Sequence, residues 1–216
     1  MHAGCGGLHV RLGAAFLLGK GWVMTEKDKR DQGLWYDANF DNELLAERLE
    51  AEGTIFELNH LHPREAARKR ELLEGLLGSM GKDVEILMPF NVDYGYNVHV
   101  GDGTFINHRA YLMDCAPITI GSHVFIGPSC GMYTAQHPLT VAERNAGLER
   151  ALPITVEDDV WLGANVTILP GVTIGCGSVI GAGSVVARDI PAGVVAVGSP
   201  CRVAREITEA DVPHND

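Results

Sequence analysis

Residues 154–189 repeat with a period of six along the chain. The aliphatic positions of this repeat are Val156, Leu162, Ile168, Ile174, Ile180 and Val186. A second set lies two positions earlier in each unit: Ile154, Val160, Val166, Val172, Ser178 and Ser184. Because side chains alternate between the two faces of a strand, both sets point the same way. Short strands with glycine-rich corners at this period predict a mainly β fold, a β-helix whose stacked coils enclose the aliphatic positions.

The repeat extends further towards the N-terminus, with interruptions. The same spacing joins three earlier residues, Val100, Ile106 and Leu112. Two extra residues, Ala116-Pro117, then shift the phase, and residues 133–153 leave it altogether. We therefore predict a β-helix over residues 83–200 with an inserted loop at 133–153. The C-terminal tail, residues 201–216, is predicted to cover the last coil.

The N-terminal part lacks the repeat and divides into two segments. Residues 1–24 contain an apolar run, Leu12–Gly19, that is too short to span a bilayer and is followed by no clear cleavage site. We interpret this segment as a non-native or disordered extension. Residues 25–82 are predicted to form a helical cap. Asp41 is the expected N-cap of its first long helix, and Pro63 is expected in the first turn of the next.

Composition excludes some classes of partner. The chain carries 28 acidic and 17 basic residues, for a net charge of −11. Phosphate binding along a nucleic acid requires a basic face, so DNA and RNA are disfavoured as partners. Five cysteines without a CxxC pair indicate reduced thiols in the cytoplasm and not a disulfide framework. We therefore expect a cytoplasmic protein without a nucleic-acid or membrane partner.

Two polar residues stand out in the interrupted part of the repeat. His137 lies in the long insertion beside Pro138, and a histidine can accept a proton near neutral pH. From its position alone, a general base and a loop histidine without a role both remain open. Asn107 occupies a corner where glycine is easier. It either orients an acceptor hydroxyl or takes a left-handed turn conformation.

Other reactive groups are open to two interpretations each. Cys115 and Cys130 are either acyl acceptors or, as we prefer, inert buried residues. A zinc site on this repeat would need three converging imidazoles, and the repeat region has no HxxxH or HxxxxH pair, so no metal is expected. Arg188, Arg202 and Arg205 lie near the end of the repeat. They either bind phosphates or are ordinary surface charges.

Four stretches of the sequence resemble one enzyme family. They are Asp93-Tyr-Gly-Tyr-Asn-Val-His-Val-Gly101, Thr134-Ala-Gln-His-Pro138, Asp159-Val-Trp-Leu-Gly-Ala-Asn-Val-Thr-Ile-Leu-Pro-Gly-Val-Thr-Ile-Gly175 and Gly198-Ser-Pro-Cys-Arg202. With the helical preface, they are similar to the hexapeptide-repeat sugar O-acetyltransferases of the maltose, galactoside and nodulation type. Within that family the maltose type is the nearest. The resemblance runs from about residue 25 to residue 207.

The resemblance implies a left-handed parallel β-helix that assembles as a homotrimer, with acetyl-CoA bound between neighbouring subunits. It implies that His137 is the catalytic base and that Asn107 lies beside the acceptor. It also implies that Asp37 and Asp93 contact the sugar. The implied acetyl-CoA contacts are Ala164, Ala182, Ala187, Arg188, Arg202 and Arg205.

The acceptor side departs from the galactoside pattern. A position that is acidic in the galactoside enzymes is Cys115 here, and neighbouring Asp114 is the candidate to replace it. The roles of Asp114 and Cys115 stay open at this point. The predicted reaction is direct transfer of the acetyl group of acetyl-CoA to a hydroxyl of a maltose- or glucose-like sugar. The alternatives are transfer to another hydroxyl or an amine, a non-catalytic β-helix scaffold, and a zinc hydratase on the same fold.

Overall fold

The residues of the hexapeptide repeat form a solenoid of short strands, and a helical cap precedes the solenoid in the chain. The computed structural model describes residues 23–213, so nearly all of the predicted extension 1–24 and the last three residues of the tail lie outside the described part. The helices are α1 (Glu26–Asp31), α2 (Asn42–His60), α3 (Ala66–Leu76) and α4 (Val141–Asn145), and a 3₁₀ helix spans Glu209–Asp211.

Most strands are two or three residues long, as a six-residue repeat requires. The strands are β1 (Tyr36–Asp37), β2 (Ser79–Met80), β3 (Glu85–Ile86), β4 (Phe90–Val92), β5 (Val98–Val100), β6 (Phe105–Ile106), β7 (Ala110–Met113), β8 (Ile118–Ile120), β9 (Phe125–Ile126), β10 (Gly131–Tyr133), β11 (Ala135–Gln136), β12 (Leu148–Ala151), β13 (Ile154–Val156), β14 (Trp161–Leu162), β15 (Thr167–Ile168), β16 (Thr173–Ile174), β17 (Val179–Ile180), β18 (Val185–Val186), β19 (Val194–Val197) and β20 (Arg202–Glu206).

The strands of the solenoid stack into three sheets. Sheet I contains β2, β5, β8, β13 and β16; sheet II contains β3, β6, β9, β14, β17, β19 and β20; sheet III contains β4, β7, β10, β15 and β18. Their pairings are parallel, except that β20 returns antiparallel to β19. The chain visits sheets I, II and III in turn over about six turns, passing corners I–II, II–III and III–I. The predicted parallel β-helix is confirmed, and its handedness remains an implication of the resemblance.

The aliphatic positions fill the interior of this solenoid. In sheet II, Ile106, Ile126, Leu162 and Ile180 lie in register on consecutive coils. Each of these four side chains is at most 1 % exposed. Burial of apolar surface stabilises the fold by about 25 cal/mol per Å². The repeat continues along the solenoid because each coil must pack the same row of apolar side chains against the next coil.

Close stacking at the corners explains the glycines. A Cβ atom on Gly163, at corner II–III, would lie 2.6 Å from the backbone nitrogen of Ala182 on the next coil. Only a residue without a side chain allows this approach. Two residues further on, Asn165 adopts a left-handed conformation with φ 56°, which asparagine tolerates better than most residues.

Of the two helix starts expected in the N-terminal segment, the structure contains one. The Asp41 side chain accepts a hydrogen bond from the backbone N–H of Leu44, so it is the N-cap of α2. The prediction for Pro63 is wrong, because α3 begins later, at Ala66. Pro63 lies instead in a turn closed by a hydrogen bond from the Glu65 N–H to the His62 carbonyl. Of the helices between residues 23 and 213, none is long and apolar enough to cross a membrane. The cytoplasmic location stays a prediction.

The insertion after β10 has structure of its own. It contains β11, α4 and β12, and β12 pairs antiparallel with both β11 and β1. The pairing with β1 joins Tyr36 to Glu149 and Asp37 to Leu148. The strand between α1 and α2 therefore lies against the insertion, and it carries N-terminal residues to corner III–I.

Candidate active site

Corner III–I collects the acidic candidates and the candidate base. The loops that follow β4 and β7 begin with Asp93 and Asp114, and the insertion that carries His137 follows β10. Because successive loops at one corner stack along the solenoid, these three residues lie on neighbouring coils. The pairing of β1 with β12 adds Asp37 to the same corner.

His137 is held through one of its ring nitrogens. Its Nδ1 lies 3.0 Å from the carbonyl oxygen of Leu148. A carbonyl can only accept a hydrogen bond, so Nδ1 carries the proton and Nε2 has a free lone pair. The side chain is 46 % exposed, which leaves Nε2 accessible to a ligand. This tautomer and exposure are those a general base requires.

A buried carboxylate, that of Glu149, lies beside the free nitrogen of His137. Glu149 Oε2 is 3.7 Å from His137 Nε2, and Glu149 is only 8 % exposed. Its Oε1 accepts a hydrogen bond from the hydroxyl of Tyr36, which is fully buried. Burial raises the pKa of Tyr36, so the phenol stays protonated and remains the donor. Glu149 is thereby held in one orientation.

Cys115 lies between two carboxylates. Its Sγ is 3.6 Å from Asp93 Oδ2, and on its other side the thiol interacts with Glu149. Burial, with the two carboxylates adding to it, raises the pKa of the Cys115 thiol well above its usual value. A protonated thiol is a poor nucleophile. This environment supports the interpretation of Cys115 as an inert buried residue over that of an acyl acceptor.

Asp93 presents its carboxylate to an open cavity. The cavity has a volume of about 420 Å³, and its lining includes Arg48, Glu52, Asp93 and Tyr111. The hydroxyl of Tyr111 donates a hydrogen bond to Asp93 Oδ1. Burial and this hydrogen bond raise the pKa of Tyr111, so its proton stays on the phenol. The cavity is lined by acidic and basic side chains, which can form hydrogen bonds with a hydroxyl-rich ligand.

Asp114 does not face this cavity. Asp114 is fully buried, and its carboxylate accepts backbone N–H hydrogen bonds from Asp93, Tyr94 and Asn97. Burial raises the pKa of Asp114, against the opposing effect of these N–H groups. The structure corrects the expectation that Asp114 replaces an acceptor contact. Its carboxylate holds the loop that presents Asp93, and Asp93 supplies the partly exposed acid beside Cys115.

Asp37 is fixed by its own turn. Its Oδ1 accepts hydrogen bonds from the backbone N–H groups of Asn39 and Phe40, at 3.1 and 3.0 Å. The backbone N–H of Asp37 in turn donates to Glu26 in the cap helix α1. Oδ2 is not engaged in these bonds. Asp37 pairs with Leu148, whose carbonyl holds His137, so the backbone of Asp37 lies beside the strand that fixes the candidate base.

Three other predicted residues lie at a different corner. Asn107, Ala164 and Ala182 follow strands of sheet II, so they form a column at corner II–III. The column is closely stacked, because the N–H of Gly183 donates to the Ala164 carbonyl at 2.8 Å. Sheet III separates this column from His137, and its longest strand, the four-residue β7, spans roughly 13 Å. One chain alone does not bring Asn107 to His137.

The predicted acetyl-CoA contacts are also divided between corner III–I and corner II–III. Ala187 and Arg188 follow β18 at corner III–I, whereas β20 pairs Arg202 with Val197 next to the Ala182 column. Both Arg188 and Arg202 are exposed. Arg205 differs, since its guanidinium makes two 2.7 Å contacts with Asp211 and holds the pKa of that carboxyl at about 2. A phosphate at Arg205 would have to compete with Asp211.

Sequence reasoning missed three residues of the site. Tyr36, Tyr111 and Glu149 contact predicted site residues, yet none was assigned a role. For Tyr111 a signal existed, because it alternates with the buried Leu112 on β7 and so faces outwards. No local signal identifies Tyr36 or Glu149, since their contact depends on the pairing of β1 with β12.

Comparisons with known proteins agree with this architecture. A maltose acetyltransferase hexapeptide capping motif matches residues 29–81, and a bacterial transferase hexapeptide of six repeats matches residues 153–188. A Saccharomyces cerevisiae protein that is an acetyltransferase by name is 49 % identical over 179 residues, which cover 83 % of this chain and 91 % of the relative.

Solved structures show the same similarity over most of the chain. A maltose O-acetyltransferase from Clostridium difficile 630 superposes with a TM-score of 0.84 at 42 % identity, covering 86 % of this chain and 99 % of that one. A hexapeptide-repeat acetyltransferase from Vibrio cholerae, complexed with acetyl coenzyme A, has a TM-score of 0.79 at 39 % identity and covers 86 % and 100 %. The chain therefore belongs to the hexapeptide-repeat acetyltransferases that carry the maltose acetyltransferase capping motif.

Proposed function

We propose that this chain transfers the acetyl group of acetyl-CoA to a hydroxyl group of a sugar, with His137 as the general base. The observation that carries the proposal is the state of the His137 ring. Nδ1 is bound to the Leu148 carbonyl, and Nε2 keeps its lone pair at the corner of the solenoid that also carries Asp93. The acetyl coenzyme A complex of the Vibrio cholerae relative supports acetyl-CoA as the donor.

The proposed reaction is a direct transfer. His137 Nε2 takes the proton of the acceptor hydroxyl, and the oxygen forms a bond to the acetyl carbon. The bond between that carbon and sulfur breaks, and the thiolate leaves with the proton from His137. No acyl-enzyme is required, which is consistent with the buried, protonated state of Cys115. Ala164, Ala182, Ala187, Arg188, Arg202 and Arg205 are the proposed contacts of acetyl-CoA.

A sugar fits the polar character of the acceptor side. Asp37 and Asp93 offer carboxylate oxygens that can accept hydrogen bonds from hydroxyl groups. Asn107 is the third proposed acceptor contact. A screen of maltose, glucose, galactosides and amines, with release of free coenzyme A thiol as the readout, tests the acceptor class. Turnover only with amines would contradict the sugar proposal.

Asp93→Asn is expected to weaken binding of the acceptor and to leave binding of the donor, acetyl-CoA, unaffected. A hydrogen bond to a charged group contributes about 1.5–3 kcal/mol, so KM for the acceptor should rise about 10–100-fold. KM for acetyl-CoA should stay within about twofold, because Asp93 is not among the proposed donor contacts. Asp83→Asn is the matched control, since Asp83 is exposed at corner I–II. An equal rise of both KM values in Asp93→Asn would contradict an acceptor role.

We also propose that the working protein is a homotrimer whose sites are shared between neighbours. His137 and Asn107 lie at different corners of one chain, so a site with both needs corner III–I of one copy against corner II–III of another. Exposed aromatic residues on sheet II, Phe125 and Trp161, offer apolar surface for such an interface.

Light scattering should then give three chains per particle. In a sharper test, His137→Ala and Asn107→Ala chains, each inactive alone, are mixed by co-expression. Random assembly should restore on the order of a quarter of the sites, because an intact site takes each residue from a different chain. A fully active monomer, or mixed trimers without activity, would contradict the shared site.

A further inference from the structure

We propose that the cavity beside Asp93 is a subsite for a second sugar unit of the acceptor, and that Arg48 and Glu52 of helix α2 bind the hydroxyl groups of that unit. The inference rests on the acetyl transfer proposed above and narrows its acceptor to a saccharide of at least two units. The two residues belong to the cap and have no place in the proposed chemical step.

The cavity lies between the cap and the solenoid. Helix α2 contributes Arg48, Glu52 and Ile55 to its lining, and sheet III contributes Asn91 and Tyr111. Its volume of about 420 Å³ lies in the range that small ligands occupy in proteins. A ligand bound at corner III–I can therefore extend along α2 without displacing any element of the fold.

The guanidinium of Arg48 is held in place, but its charge is not neutralised by an acid. Nη1 donates to the hydroxyl of Tyr94 at 2.6 Å, and Nη2 donates to the carbonyl of Ala38 at 2.7 Å. These bonds use two of the five N–H groups. Within residues 23–213 Arg48 lies in no ion pair, although Asp93 is near enough to interact with its charge. The remaining N–H groups can donate to hydroxyl oxygens of a ligand.

A second arginine of the cap shows the contrast with a structural role. Arg30 and Arg48 both lie over the ring of Tyr94, with 4.7 and 5.6 Å between the guanidinium carbon and the ring centroid. Arg30 is 2 % exposed and donates through Nε and Nη2 to Asp31. The charge of Arg30 is therefore balanced within the fold, whereas the charge of Arg48 is available to a ligand in the cavity.

Glu52 adds a hydrogen-bond acceptor on the same side of the cavity. It follows Arg48 by four residues, which places both side chains on one face of α2. A sugar hydroxyl can accept from the guanidinium and donate to the carboxylate, so the pair suits a polyhydroxyl ligand. Ile55 and Val92 supply apolar lining between these polar groups, and the C–H faces of a sugar ring can pack there.

The two oxygens of Asp93 indicate the order of the sugar units. Oδ2 is 3.6 Å from the thiol of Cys115. On its other side Cys115 interacts with Glu149, whose carboxylate is 3.7 Å from His137 Nε2. Oδ1 accepts instead from Tyr111, which lines the cavity. The acetylated unit is therefore placed on the Cys115 side of Asp93, and the second unit on the Tyr111 side.

The test compares steady-state kinetics for glucose with those for maltose and cellobiose, which contain two glucose units in α and β linkage. A subsite away from the reacting atoms binds substrate and transition state equally, so it lowers KM and leaves kcat unchanged. A hydrogen bond to a charged group changes affinity about tenfold or more. KM for at least one disaccharide should therefore lie about tenfold or more below KM for glucose.

Two variants remove the charged groups of the subsite. Arg48→Gln should raise KM for the preferred disaccharide about 10–100-fold and change KM for glucose by less than about threefold. Glu52→Ala should raise the same disaccharide KM about tenfold. Because Glu52 is an exposed helix residue, its replacement by alanine should not lower the melting temperature. Glu50→Ala is the matched control and should keep wild-type kinetics, since Glu50 is on the same helix but lines a different cavity.

Three results would contradict these proposals at different levels. Equal KM values for glucose and both disaccharides in the wild type would overturn the subsite and leave the sugar acetyltransferase standing. An equal rise of KM for glucose and the disaccharide in both variants would also overturn it, since the two residues would then act only on the acetylated unit. No turnover of any of the three sugars would contradict the proposed function itself. Calorimetric titration of the same sugars into the coenzyme A complex should give the same preference as a ratio of Kd values, without dependence on turnover.

Discussion

Replacing His137 by alanine is expected to lower kcat about 10²–10⁴-fold, the usual contribution of a positioned general base. The affinity for acetyl-CoA should stay nearly unchanged, because the proposed donor contacts lie on the solenoid and not on the inserted loop. The fold should also persist, since the ring is 46 % exposed and makes one hydrogen bond to backbone. Steady-state kinetics, together with calorimetric titration of acetyl-CoA, measure both quantities.

The chain contains a matched control for this substitution. His60, at the end of α2, also lies with Nδ1 against a backbone carbonyl, that of Phe56, at 2.7 Å. His60 is exposed and far along the chain from the insertion. His60→Ala should therefore retain wild-type turnover. Undiminished kcat in His137→Ala would remove the base assignment, and loss of acetyl-CoA binding would point to a structural role.

Asp114→Ala is expected to destabilise the protein by about 3–5 kcal/mol, because it leaves one buried and two partly buried backbone N–H groups without an acceptor. For a chain of this size, such a loss lowers the melting temperature by about 6–20 °C. The affected N–H groups belong to Asp93, Tyr94 and Asn97, so the loop that presents Asp93 should also loosen. Differential scanning calorimetry measures the first effect, and KM for the acceptor measures the second.

Asp114→Asn provides the intermediate case. Its amide oxygen can still accept from the N–H groups of Asp93 and Tyr94, but its amide nitrogen would face the N–H of Asn97, another donor. We expect its melting temperature to lie between those of wild type and Asp114→Ala. An Asp114→Ala protein with wild-type melting temperature would show that water reaches this loop and satisfies the N–H groups.

Asp93 and Asp114 differ by one residue in their position within the strand register, and the sequence does not show this difference. Each residue follows a strand of sheet III, and both were assigned to the acceptor. The register pairs Val92 with Leu112, so Asp93 aligns with Met113 and Asp114 aligns with the buried Tyr94. Because side chains alternate along extended backbone, this offset sends Asp114 inwards and Asp93 outwards. The offset exists because β7 is one residue longer than β4.

The six-residue repeat determined the fold by itself, because its information is local. Each coil needs the same apolar rows and the same small corner residues, so the pattern in residues 154–189 specified the solenoid, and its loss in residues 133–153 marked the insertion. The motif around His137 likewise predicted the candidate base, which stays a prediction. The surroundings of that base were decided by tertiary structure alone. Tyr36 and Glu149 are 113 residues apart in the chain and meet only because β1 pairs with β12. No periodicity encodes such a contact, since it depends on how the cap returns to corner III–I.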